Sequence, residues 1–264
     1  MTTTDRTAAT RVPMDSTRKT ALVAGVLYLI TFVSSIPAVF LLAPVLNDPE
    51  FILGVGSNTS VLWGAFLDMV NAVAAIGTAV VLFPVVRRQN QATALGFVAA
   101  RLMEAAIIFV GVLSLLAVVT LRRDLAGASG ADAASLVTVG RSLVAVRDWT
   151  FLLGPGLVPG VSALLLGTLM YRSRLVPRAI PVMGLVGGPL LITSALGTMF
   201  GINEAVSAWS AIATAPIFFW ELSLGLWMTV KGFRPSPITA GMVAAGTPSD
   251  HRDVFAASSA GLSR

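Results

Sequence analysis

The chain has 264 residues, 55% of them hydrophobic and only 12% charged; a soluble domain carries about 25% charged residues, so lipid rather than water is the expected solvent. The absence of cysteine excludes thiol catalysis, disulfides and cysteine-based metal sites, and with the single histidine, His251, in a polar tail, neither a Ser-His-Asp triad nor a histidine-rich metal site is expected. The net charge of +5 comes from basic residues lying between apolar segments, a pattern that sets membrane orientation and does not point to nucleic acid.

Six apolar segments follow one another, at about Thr20–Ala43, Val61–Val86, Thr93–Leu121, Trp149–Tyr171, Ala179–Phe200 and Trp209–Lys231. Each approaches or exceeds the roughly 20 residues that a helix needs to cross about 30 Å of hydrocarbon. The expected fold is all-α: a polytopic six-helix transmembrane bundle over residues 18–233. Residues 1–17 and 234–264 are polar or rich in small residues and are expected as disordered cytoplasmic tails. The first segment is too long for a cleaved signal peptide and is read as a retained helix closed by Pro44.

Orientation follows from Arg and Lys. Arg6, Arg11, Arg18 and Lys19 precede the first segment, Arg87 and Arg88 follow the second, and Arg172, Arg174 and Arg178 follow the fourth. The first and fifth connections carry only Asp48, Glu50 and Glu204. This places both termini inside. Trp63, Trp149 and Trp209 then all fall at the outer interface. The third connection is the misfit, external yet holding Arg122, Arg123, Arg141 and Arg147. Its stretch Ser135–Val146 is apolar but too short to span, and is expected as a short external amphipathic helix.

Three strings carry a resemblance: FVAARLMEA at Phe97–Ala105, GTLMYRSRLVPR at Gly167–Arg178 and ELSLGLWMTVKG at Glu221–Gly232. In this order and spacing they resemble a bacterial membrane-protein family known as domain of unknown function 4386, over roughly residues 18–233. The resemblance implies the fold and a place in the bacterial cytoplasmic membrane, and it brings no chemistry. Gly154-Pro155-Gly156 and Pro159-Gly160 depart from the smooth apolar run that the family leads one to expect in the fourth helix.

Ionisable groups at membrane depth cost several kcal/mol unless paired. Arg101 and Glu104 stand three residues apart on one helix face, where they can neutralise each other or form a proton or substrate site. Glu221 lies near the middle of the sixth segment with no basic neighbour on its own helix, and Arg101 is the only arginine deep in a span. A buried cluster of Arg101, Glu104 and Glu221 is therefore expected. Asp68 and Asn71, one turn apart, are candidates for a polar vestibule or an interhelical hydrogen-bonded pair. Asp148 stands at an interface. Gly154, Pro155, Gly156, Pro159 and Gly160 are a candidate helix break, since proline removes a backbone donor and frees a carbonyl. Gly184/Gly188 and Gly197/Gly201 have the spacing of close helix contacts.

No phosphate loop, dinucleotide fingerprint or His-Glu-x-x-His motif is present. Neither cofactor nor metal is called for, no residue is assigned a catalytic role, and no enzymatic activity is expected. Three functions compete: a non-catalytic membrane module that packs with lipid and with a membrane-protein partner or a second copy, a small proton- or ion-coupled transport protein, and, ranked last, an intramembrane enzyme acting on lipid with paired carboxylates.

Overall fold

A computed structural model describes residues 15–54, 57–127 and 129–244, with side chains placed through residue 240. The described residues form helices only: α1 (Ser16–Asn47), α2 (Thr59–Val86), α3 (Gln91–Asp124), α4 (Ala131–Leu153), α5 (Val158–Ser173), α6 (Ala179–Met199), α7 (Ala208–Val230) and α8 (Pro237–Ala244), with one 3-10 turn at Phe51–Leu53. Six helical stretches are long and apolar enough to cross a membrane, the fourth being α4 and α5 taken together. Most of the expected residues of a 1–17 tail and the end of the 234–264 tail lie outside the described residues.

Local signals account for the helix ends. The Asn90 side chain accepts from the Thr93 amide and opens α3, and Ser207 does the same for α7 through the Ser210 amide. Arg174 adopts the left-handed conformation and closes α5. At the end of α7 the Arg18 guanidinium donates to the carbonyls of Met228, Thr229 and Val230 at 2.7–3.2 Å. The orphan carbonyls of that terminus are thus satisfied by the first turn of α1.

Neighbouring helices meet in a cyclic order, α1–α2–α3–α5–α6–α7 and back to α1. Small residues allow the close approaches. A Cβ on Gly184 would stand 2.7 Å from the Trp220 indole, so only glycine lets α6 lie flat on that ring. Gly188 meets Gly160 of α5, and Gly25 of α1 meets Gly225 and Thr229 of α7. Gly197 and Gly201 do not serve a helix contact: Gly197 faces the Asn203 side chain and Gly201 turns the chain at φ 72° just after α6.

The largest core, with Tyr28, Leu82, Phe97, Leu166, Met170, Trp220 and Met228, fills one half of the ring. A second core, with Leu42, Val45, Ile52, Val61, Leu115, Val118 and Leu136, lies towards the opposite end. There α4 packs along the last turns of α3 and over the 3-10 turn.

Four expectations change. Pro44 does not end the first helix, which runs on to Asn47; one missing amide costs one hydrogen bond, and the helix tolerates it. The external helix and the start of the fourth span are one element, because no proline interrupts Ala131–Leu153 and Gly140 is seated against Ile52. The break covers Gly154–Leu157 only; Pro159 and Gly160 fall in the first turn of α5, where proline needs no amide partner. The segment from 234 is not wholly a disordered tail. The Arg234 amide donates to the Leu175 carbonyl at 2.7 Å, the Ser236 hydroxyl donates to the Ser173 carbonyl at 2.6 Å, and α8 follows. These bonds satisfy carbonyls exposed where α5 ends.

Candidate functional site: a buried arginine shared by three helices

Arg101 projects from the first half of α3 and is 3% exposed. Its Nη1 donates to Glu104 Oε2 at 3.0 Å, one turn along the same helix. Its Nη2 donates to Glu221 of α7 and, at 3.3 Å, to the Tyr28 hydroxyl of α1. The guanidinium also lies over the Tyr28 and Phe97 rings at 5.4 and 5.9 Å. The structure therefore brings Arg101, Glu104 and Glu221 together and adds Tyr28, which lies outside the expected set. One side chain joins three helices that are not all neighbours in sequence.

Helix geometry explains the meeting. Arg101 and Glu104 share a face at i,i+3, and that face points to the ring interior with Ala94, Phe97, Ala105 and Ile108. Trp220, locked against Gly184, sets the rotation of α7 and so aims the next residue, Glu221, towards α1 and α3. The planar guanidinium has five donors, enough for two carboxylates and a phenol at once. Its Nε is left without a partner. The side chain of Glu221 is the most open member, at 15% exposed.

A family model described as Domain of unknown function (DUF4386) matches residues 23–232. The chain belongs to that family. No curated protein and no solved structure matches it. The matched region of this DUF4386 protein contains all four members of the cluster, and it ends just before the Arg234 and Ser236 contacts.

A second ion pair lies nearer the other end of the DUF4386 bundle. Arg147 Nη2 of α4 donates to Asp68 Oδ2 of α2 at 3.0 Å, with both side chains about nine-tenths buried. The Arg147 guanidinium also covers the Phe151 ring at 4.9 Å. Asp68 is thus paired, but not with Asn71, whose side chain makes no hydrogen bond among the described residues. One sequence feature bears on this pair: Arg147 stands at the edge of an apolar span, where a topology signal and a buried partner for Asp68 look alike. Arg122 is accounted for in the same way. It donates to the Gly54 carbonyl at 2.9 Å and to Asn58 Oδ1 at 2.8 Å, and stacks 4.0 Å over Phe51. Two of the four arginines of the third connection therefore hold that end together, Arg147 by tying α4 to α2 and Arg122 by tying α3 to the α1–α2 connection.

The helix break takes no part in either cluster. Gly154 and Gly156 lie in the unwound residues, with Gly154 against Ile107 of α3. Gly156 borders a cleft between the end of α4 and the facing halves of α6 and α7.

Proposed function

We propose that this protein is a non-catalytic module of the bacterial cytoplasmic membrane, with both termini inside, whose buried charges specify its fold. The observation that supports this reading best is the triple engagement of Arg101: each contact goes to a different structural need, one within α3, one to α7 and one to α1. An arginine employed in this way ties helices that lipid-facing apolar side chains alone would leave free to rotate, since lipid is as apolar as leucine. Associations with lipid, and with a membrane-protein partner or a second copy, complete the proposal. The basic residues at the Arg18, Arg87 and Arg172 end suit the inner surface.

One observation favours a proton- or ion-coupled carrier as the second reading. Two carboxylates against one guanidinium give the cluster a formal charge of −1, and Glu221 is its most open member. Glu221→Gln separates the two. Under the first reading the variant loses abundance and thermal stability, and proteoliposomes holding the unaltered protein show no more proton entry under an imposed pH gradient than empty vesicles. A protein-dependent proton flux that Glu221→Gln abolishes at normal abundance would establish the carrier instead.

A further inference from the structure

The cleft beside the helix break has a volume of about 430 Å³, within the range of small-molecule sites. Phe151, Leu152, Leu191, Ala195 and Val206 give it apolar walls, while Ser194, Thr198, Ser210 and Thr214 line the α6–α7 side. Each of those hydroxyls has already spent its one hydrogen. Ser194 donates to Ser210 Oγ, Thr198 to the Ser194 carbonyl, Ser210 to the Glu204 carbonyl and Thr214 to the Ser210 carbonyl, at 2.8–3.4 Å. Ser210 Oγ already accepts from Ser194 and Asn203, and Thr198 Oγ1 from Asn203, so the lone pairs left for a ligand are those of Ser194 and Thr214 and one of Thr198.

The break adds more acceptors. Pro155 lacks an amide, and the Gly156 amide turns back to the Phe151 carbonyl at 2.9 Å. Among the described residues no backbone amide donates to the carbonyls of Leu152 or Gly156, and both residues line the cleft. Carbonyls freed at membrane depth must be satisfied by protein, water or a ligand. Asp148 stands at the mouth and has no basic group within ion-pair distance among the described residues. Its neighbour Arg147 is turned away to Asp68, while Arg141, two turns earlier, lines with Asp48 a second cleft that Asp148 also borders, without forming an ion pair with it.

We propose that this cleft binds a protonated amine bearing an apolar chain, with Asp148 as the counter-charge, the freed carbonyls and hydroxyl lone pairs accepting the ammonium hydrogens, and the chain lying along Phe151, Leu191 and Val206. The chemistry is complementary: a cation meets a carboxylate that is outside any ion pair among the described residues, a donor-only head meets the freed carbonyls and the lone pairs of Ser194 and Thr214, and a tail meets apolar side chains. The site is independent of the Arg101 cluster, and its failure would leave the proposed structural role untouched.

The experiment uses the full chain purified in detergent, with octylammonium as the probe and octyltrimethylammonium, octanol and octyl sulfate as comparisons, each read by calorimetry and by thermal unfolding. Octylammonium should bind saturably and raise the melting temperature. Octyltrimethylammonium, which has no N–H to donate, should bind several-fold more weakly, and octanol and octyl sulfate should not saturate. Asp148→Asn should weaken octylammonium by about 10-fold or more, as losing a charged hydrogen-bond partner does. Equal binding of octanol, or of octyltrimethylammonium, by the unaltered protein would overturn the proposal. So would a folded Asp148→Asn variant that binds octylammonium as tightly as the parent.

Discussion

Replacing Arg147 by methionine strips the Asp68 carboxylate of its only ion-pair partner among the described residues while keeping most of the apolar stem. The two groups meet at 3.0 Å with side chains 9% and 11% exposed, so solvent offers little relief to the stranded charge. Removing one partner of a buried pair costs about 3–5 kcal/mol. Loss of the guanidinium from the Phe151 face adds about 0.5–1 kcal/mol. The residual exposure of Asp68 argues for the lower end, so Arg147→Met should lose about 3.5–4 kcal/mol in all. Asp68→Asn combined with Arg147→Met removes both charges and should recover most of that loss, down to about 1 kcal/mol, because neutral groups of similar shape carry no stranded charge. Equilibrium unfolding in mixed micelles, followed by tryptophan fluorescence, measures both. A loss below about 1 kcal/mol for Arg147→Met, or a double variant no more stable than the single one, would refute the idea that this pair holds α4 to α2.

Reporter fusions after Ser57, Gly130 and Asn203 should read external, and those after Gln89 and Ser173 cytoplasmic; a cytoplasmic Gly130 would place α4 on the wrong side. Gly184→Ala should destabilise by about 1–3 kcal/mol in the same micelle assay, since the added methyl would sit 2.7 Å from the rigid Trp220 indole; an unchanged midpoint would mean that α6 and α7 are not packed as closely as described.

The membrane spans were legible because uninterrupted apolar runs of this length have few other homes, and five of the six segments match helices to within a few residues. The encounter of Arg101 with Glu221 was legible by elimination, as only one arginine lies deep in a span. Tyr28 was not. A tyrosine in an apolar run reads equally as an interfacial anchor or a lipid-facing aromatic, and only the rotation of α1 against α7 aims its hydroxyl inward. Nor was the partner of Asp68. Arg147 precedes the expected start of the fourth span, and an arginine there reads as a topology signal until α4 is known to be one continuous helix folded back along α3. Where a long side chain reaches depends on helix rotation and offset, which hydropathy does not encode. The same limit applies to the break. Prolines mark it, but the residues that unwind are set by which amides find alternative carbonyls, as Gly156 does with Phe151.

If Arg101 holds the bundle together, it couples α3 to α7 energetically. A double-mutant cycle on Arg101→Met and Glu221→Gln, read by unfolding free energies in the same micelles, tests it most directly. The expected coupling is about 1.5–3 kcal/mol, as for a buried hydrogen bond between charged groups. Additivity within about 0.5 kcal/mol would contradict it.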